Sequence, residues 1–223
     1  MTYTGDVQVG GATQVRVLDE LEIRKAAVGP MQNNAYLLTC RADGAQLLVD
    51  AADDPDRLLA LLHEGTTQLD LVVTTHRHAD HHRALASVVA VTGAAVAAGA
   101  DDADAIAEAT DIAVTRRLHD GDTVRVGSVA LRVVALRGHT PGSVALAYRE
   151  PGGRAHLFTG DSLFPGGVGA THGPEAFDQL YTDVVERVFD RFDDDTWVYP
   201  GHGRDTTLGA EREHLPEWRA RGW

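Results

Sequence analysis

The chain has 223 residues, 43% hydrophobic and 24% charged, which is the composition of a globular protein able to bury one large core. Its formal charge of −13 argues against nucleic acid and anionic membranes as partners, because both need a basic face to displace counterions. One cysteine, Cys40, excludes an internal disulfide, and no apolar run reaches the roughly 18 residues that span a bilayer. With no basic-then-apolar leader, a cytoplasmic location is expected.

In chain order, β-branched and apolar residues predict strands over Val7–Leu18, Leu21–Val28 and Ala35–Cys40, punctuated by Gly29-Pro30. Cys40 reads as a small core residue. A short strand over Gln46–Asp50 precedes a helix over Pro55–His63, whose Leu58, Leu59, Leu61 and Leu62 form a broad apolar face ended at Gly65. Leu69–Thr75 is a continuous apolar strand, the pattern of burial on both faces. A helix over Asp80–Thr92 follows, with Leu85, Val88, Val89 and Thr92 on one side. The second half predicts strands over Thr123–Val126, Val129–Leu136, Ser143–Tyr148 and His156–Thr159, a helix over Pro174–Phe192 and a last strand over Thr196–Tyr199. No low-complexity linker separates the halves, so residues 1–223 read as a single domain. Two β-rich halves with helices outside predict an α/β fold, a four-layer αββα sandwich.

The chemistry concentrates after predicted strands. His76, His78, Asp80 and His81 follow the apolar strand directly, and residues two apart in an extended segment point the same way, so His76 and His78 can reach one ion. Imidazoles with an occasional carboxylate are what zinc and similar divalent ions accept. Four donors do not complete two coordination spheres. Three further candidates lie in glycine-framed loops: His139 in Gly138-His139-Thr140-Pro141-Gly142, Asp161 in Thr159-Gly160-Asp161-Ser162, and His202 in Pro200-Gly201-His202-Gly203. A lone histidine is ordinarily a surface or core residue, but four such motifs in one chain are not explained that way.

The order Thr-His-x-His-x-Asp-His, Gly-His-Thr-Pro-Gly-Ser, Thr-Gly-Asp-x-Leu-Phe and Pro-Gly-His-Gly resembles the metallo-β-lactamase superfamily, in its glyoxalase II-like branch. The resemblance runs from about Asn34 to His202 and implies a metallo-β-lactamase αββα sandwich. It implies one metal held by His76, His78 and His139, a second held by Asp80, His81 and His202, and Asp161 bridging both. The cofactor expected is a pair of divalent ions, zinc first, with iron or manganese as alternatives. Such a pair acidifies a bridging water to give a hydroxide nucleophile, with Asp80 as the catalytic residue that orients it. The reaction implied is hydrolysis of a small-molecule thioester or ester. Asn33-Asn34-Ala35-Tyr36 matches an early structural element of the branch.

Departures from the branch bear on the substrate. His82-Arg83-Ala84 stands where a Gly-Gly pair is usual, and Ala170 follows Gly167-Val168-Gly169 where glutathione-thioester hydrolases place a basic residue. Only 21 residues follow His202, against the helical C-terminal domain of those enzymes. Glutathione specificity is therefore not expected. Other readings are bland: acidic clusters (Asp53-Asp54, Asp101-Asp102, Asp193–Asp195) at helix starts or in solvent, and His63, His119, His156, His172 and His214 at the surface. His82 is read as supporting or solvent-facing, Arg137 as structural or a carboxylate anchor, Trp197 as core, and Trp218 and Trp223 as pins for the C-terminal tail. The main rival is a mononuclear-iron persulfide dioxygenase of the same superfamily using His76, His139 and Asp161. A nuclease is disfavoured by charge, and a non-enzymatic module by the complete donor set.

Overall fold

The apolar alternation of the first half resolves into one mixed sheet. The computed structural model describes residues 3–222 and sets β1 (Gln14–Val17), β2 (Leu21–Val28), β3 (Asn33–Cys40) and β4 (Gln46–Val49) side by side as antiparallel neighbours. From β4 onward each strand is followed by a helix: α1 (Pro55–His63) leads to β5 (Leu69–Thr74), α2 (Leu85–Thr92) to β6 (Ala95–Gly99), and α3 (Ala103–Thr110) to β7 (Arg116–Leu118). A helical crossover is what parallel pairing needs, and β4 through β7 pair in parallel.

The second sheet begins as an antiparallel meander of β8 (Thr123–Val126), β9 (Val129–Ala135), β10 (Val144–Arg149) and β11 (Ala155–Gly160). A hairpin of β12 (Leu163–Phe164) and β13 (Gly167–Val168), then helix α4 (Pro174–Val184), carry the chain to β14 (Trp197–Pro200), which lies parallel to β11. β15 (Thr206–Thr207) closes that edge, and α5 (Leu208–Arg212) and α6 (Leu215–Arg221) follow. Between the sheets Ile23, Leu38 and Val73 meet Leu131, Leu146 and Phe158. Outside the first sheet Leu48 and Val72 pack on Leu58, Val88 and Ile106; outside the second, Val134 and Leu157 pack on Leu180, Val184 and Trp218. This is the expected αββα sandwich. Among the described residues no helix is long and apolar enough to cross a membrane.

Local competition explains where elements depart from their expected bounds. The first strand is confined to Gln14–Val17, because Gly10-Gly11 turns the chain and Gly11 N donates to Gln8 O at 2.9 Å. The helix expected over Asp80–Thr92 splits into a 3-10 turn at Ala79–His81 and α2. Between them, Arg83 N and Ala84 N donate to Ala52 O (2.9 Å) and Ala51 O (3.1 Å) instead of continuing a helix. The helix expected to reach Phe192 ends as α4 at Val184 and continues as a π-helical turn over Val185–Phe189. β6, α3, β7, α5 and α6 were not anticipated by periodicity; β6, Ala95–Gly99, is made mostly of a good helix former and is a strand because neighbours cover it.

Three burial expectations are corrected. His156 is buried, its ring nitrogens bonded to Tyr199 Oη and Glu150 Oε1 at 2.9 Å each, and burial pushes its imidazole pKa down. Asp102 stands at the start of α3, as expected, but is fully buried and accepts from Arg77 N and Gly142 N at 3.0 Å, so it ties loops together and is not solvated. Trp197 is half-buried at the core's edge, with the Arg16 guanidinium 3.7 Å above its ring. Cys40 and Trp218 are buried as expected, and Trp223 lies outside the described residues.

Lys25, the chain's one lysine, is fully buried. Its Nζ donates to Asp205 Oδ1 (2.6 Å), Gly5 O (2.6 Å) and Gly203 O (2.8 Å), while Asp205 Oδ2 accepts from Tyr3 Oη (2.7 Å) and Trp197 Nε1 (2.9 Å). Every donor and acceptor of the pair is thus used, and the loop at Gly203 is fastened to β2. Removing one partner strands a buried charge. Lys25→Met is therefore expected to destabilise the protein by about 3–5 kcal/mol in urea unfolding. Arg154→Met, from the exposed Arg154–Asp195 pair, should cost less than about 1 kcal/mol. Similar midpoints for the two variants would refute the clamp.

Candidate metal centre

Four loops leave the ends of β5, β9, β11 and β14 and meet where the two sheets touch. The junction is made by backbone hydrogen bonds: Val144 N to Thr75 O (3.0 Å), Asn34 N to Gly201 O (2.7 Å) and Gly201 N to Gly160 O (2.8 Å). The 3-10 turn after His78, closed by His81 N to His78 O at 2.9 Å, turns Asp80 and His81 inward beside His76. A side chain at Gly201 could not fit: its Cβ would collide with Asp161 Oδ1 and lie 2.7 Å from His81 Cε1.

All seven residues singled out by the sequence come together. His76, His78 and His139 bring their donor atoms within 4.8 Å of one another, as do Asp80, His81 and His202, and a third such group is His76, His81 and Asp161. His76 Nε2 is 3.3 Å from His139 Nε2, and His81 Nε2 is 3.3 Å from His202 Nε2. That separation is the edge of a tetrahedron with bonds of about 2.0–2.1 Å, the length of a zinc–imidazole bond. Asp161 reaches both sides: Oδ1 is 3.3 Å from His81 Nε2, and Oδ2 is 3.5 Å from His202 Nε2 and 3.8 Å from His139 Nε2.

The outer ring nitrogens explain why the inner ones are free. His139 Nδ1 donates to Ala170 O (2.7 Å), His202 Nδ1 to Met31 O (3.0 Å) and His81 Nδ1 to Asp50 Oδ2 (2.8 Å). His76 Nδ1 is 3.0 Å from Thr75 Oγ1, which itself donates to Asp50 Oδ2 (2.9 Å) and so is left to accept. With Nδ1 protonated, each neutral ring points an Nε2 lone pair into the centre. Asp161 Oδ1 is buried there with no hydrogen-bond partner among the described residues. Lone pairs and a buried anionic oxygen converging at 3.3 Å fit a divalent cation.

The same crowding shifts the titrations. Burial lowers the His76 and His78 pKa values, and neighbouring imidazoles lower them further. Burial also opposes charge on His81, but Asp50 and Asp161 outweigh it and raise that pKa to about 10. Burial likewise opposes charge on His202, but Asp161 and Asp80 raise it to about 9. Burial would raise the Asp161 pKa, yet His202 and His81 hold it far below the usual carboxylate range; His202 and then Asn33 do the same for Asp80.

Two supporting residues escaped the sequence reading. Asp50, at φ +61°, accepts Thr75 N (2.7 Å) as well as His81, so it orients both. Its only sequence signal is an acid ending a strand. Asn33, read as structural, donates to Asp80 Oδ2 at 2.8 Å, whereas Asn34 and Tyr36 do serve structure by donating to Pro200 O (2.9 and 2.6 Å). His82 is buried and bonds Arg77 O (3.0 Å), a supporting place. Arg137 is structural: Asp183 takes its Nε and Nη2 at 2.9 and 2.8 Å and its backbone N at 3.0 Å. His172 is exposed.

A profile of the Metallo-beta-lactamase superfamily matches residues 28–202, which contain the whole cluster. A hydroxyacylglutathione hydrolase of Polaromonas sp. is 35% identical over 172 residues, covering 77% of this chain and 62% of that protein. The chain spans between half and two thirds of the length of the hydroxyacylglutathione hydrolases it matches. Among solved structures, ETHE1 from Myxococcus xanthus is similar with a TM-score of 0.74 and 29% identity, over 89% of this chain and 84% of that one. TTHA1623, solved in a di-iron-bound form, has a TM-score of 0.66 and 33% identity, over 84% and 96% respectively.

Imidazoles with pKa values of about 10 and about 9 are protonated at pH 7, so a cation that takes His81 and His202 must expel those protons. Loading metal-depleted protein with a divalent ion at pH 7 should therefore release protons, and affinity should rise from pH 6 to pH 8. Calorimetry in buffers of differing ionisation enthalpy reads the release. Uptake without proton release would remove His81 and His202 from the site.

Proposed function

The chain belongs to the metallo-beta-lactamase superfamily, which implies a divalent metal, and from that footing we propose a binuclear metallo-hydrolase acting on small thioesters or esters in the cytoplasm. The observation that carries the reading is the pair of Nε2–Nε2 edges at 3.3 Å with Asp161 within reach of both. In this reading His76, His78 and His139 would hold one ion, Asp80, His81 and His202 the other, and Asp161 would bridge them. Zinc is the metal proposed, with iron and manganese as the alternatives.

When bound, such a pair lowers the pKa of a water to roughly 7 and polarises the scissile carbonyl. The chain's residues do the positioning. Asp80 is the proposed catalytic carboxylate: its depressed pKa keeps it anionic, Asn33 fixes Oδ2 at 2.8 Å, and its other oxygen would be left to orient the attacking water. Nearby hydroxyl groups are otherwise engaged, and the chain's one thiol lies at the far end of β3, against Ser128. Thr140 Oγ1 bonds Asp102, Ser162 Oγ is directed to Leu136 O, and Cys40 is buried between the sheets. Hydrolysis by activated water therefore needs no protein nucleophile.

Around the centre the side chains favour an uncharged acyl group. Met31 is exposed beside His202, and the Phe164 ring is 6.5 Å from the His202 ring. Arg137 is locked to Asp183, Arg77 is drawn to Asp102 (3.8 Å), and Ala170 contributes its carbonyl to His139. None of these offers a free cation for the carboxylates of glutathione. The identity to hydroxyacylglutathione hydrolases supports thioester chemistry without supplying those anchors.

Elemental analysis of protein purified anaerobically without added metal should give about two equivalents per chain. Asp161→Ala should lower occupancy of both sites, and His202→Ala mainly one; equal metal contents in the two variants would sink the bridging assignment. One equivalent, all iron, with oxygen uptake would favour the persulfide dioxygenase built on His76, His139 and Asp161.

Remote binding energy raises the rate only where the protein grips the remote group. S-lactoylglutathione should thus show a kcat/KM no better than a comparable small thioester on the same metal-replete preparation. A preference for the glutathione substrate of ~100-fold, equivalent to roughly 2.7 kcal/mol of transition-state binding, would establish a glutathione site and overturn this substrate reading.

A further inference from the structure

Away from the metal cluster, a cavity of about 470 Å³ opens between the outer face of β8, β9 and β10 and the chain just after α4. None of the seven cluster residues lines it. Its floor has room because small side chains, Thr123 and Ala147, are the cross-strand partners of Arg132. Its far wall is the π-helical turn, closed by Asp190 N to Val185 O at 2.9 Å, with Arg191 and Phe192 directly beyond. Single π turns inside helices recur at functional sites.

Charge distinguishes this cavity. Arg132, Arg149, Arg187 and Arg191 converge on it against one acid, Asp120, in a chain of net charge −13. Several arginines elsewhere find carboxylates, as Arg83 does with Asp53, Arg117 with Asp104 and Arg219 with Asp178, while others, such as Arg41 and Arg125, bond backbone carbonyls. Here only Arg187 finds carboxylates, Asp120 and Asp183 at 3.0 Å each. Arg149 donates to Gly153 O (2.6 Å) and Arg191 to Glu186 O (3.3 Å); the Arg132 guanidinium makes no hydrogen bond or ion pair among the described residues. Guanidinium groups that outnumber the carboxylates beside them repel one another, and an anionic ligand relieves that repulsion.

We propose that this cavity binds a phosphorylated small molecule of nucleotide size. Planar guanidinium forks match phosphate oxygens two at a time, which a lysine does not do. The volume falls within the range of about 300–1,000 Å³ typical of small-ligand pockets. Phe192, over which the Arg149 guanidinium already lies at 5.7 Å, offers a ring face for a flat organic portion. The site is independent of the hydrolase reading.

The probes are ADP and inorganic phosphate, titrated calorimetrically into the metal-loaded protein and into Arg132→Gln, Arg191→Gln and the double variant. Arg132 and Arg191 are exposed, so the fold should tolerate these changes, and melting temperatures check it. Arg187 is left intact because its partner Asp183 also holds Arg137, two residues before His139. Arg154→Gln, from an exposed surface pair, controls for net charge. ADP should bind saturably and more weakly as salt rises, with each single substitution weakening it about tenfold. Arg154→Gln should leave it unchanged. No ADP binding, or binding undiminished in the double variant, overturns the proposal. Inorganic phosphate binding as tightly as ADP would overturn the organic-ligand part and leave a simple anion site.

Discussion

Donor atoms of five imidazoles and two carboxylates point into one small volume, and much of the surrounding structure serves to hold them there. Neutral rings with Nδ1 protonated direct lone pairs at one another across 3.3 Å, an arrangement that is favourable only around positive charge. Protons supply part of that charge on His81 and His202, whose pKa values rise to about 10 and about 9. Divalent ions supply it more compactly. The preference for cations is thus a property of the geometry, independent of any sequence motif.

Holding these donors costs free energy that the scaffold must offset. Two sheets bring four strand ends together, and hydrogen bonds between them fix the loops at the junction. Asp50 gathers Thr75 and His81, Asn33 aligns Asp80, and carbonyls of Met31 and Ala170 set the rings of His202 and His139. Further out, the buried Lys25–Asp205 pair ties the His202 loop, through Gly203 O, to β2 and to the N-terminal segment. The supports of the centre are backbone carbonyls and buried, hydrogen-bonded charges, which fix the orientation of the rings they hold.

Electrostatics also divides the molecule. The chain is strongly acidic, yet its acids are used unevenly. Asp50, Asp102, Asp183 and Asp205 are drawn into the structure as acceptors for specific loops. Asp193–Asp195 remain at the surface. In the arginine cavity beside the π-helical turn Arg187 shares in this pairing, through Asp120 and Asp183, while Arg132, Arg149 and Arg191 do not.

The sequence by itself determined the architecture and the donor residues that gather at the centre. Donor types after buried strands, the spacing of His76 and His78, glycines framing His139, Asp161 and His202, and period-2 and helical patterns are local properties, and local properties survive in a linear string. It did not disclose β6, where an alanine-rich run becomes a strand only because β5 and β7 flank it, nor the break before α2, which Ala51 and Ala52 carbonyls impose. His156 and Asp102 look like surface groups in sequence and are buried because partners reach them from other elements. Only the tertiary structure could join Asp50 to His81, Asn33 to Asp80 and four arginines to one cavity, since burial and pairing depend on what lies across space, and neighbours in space are distant in the chain.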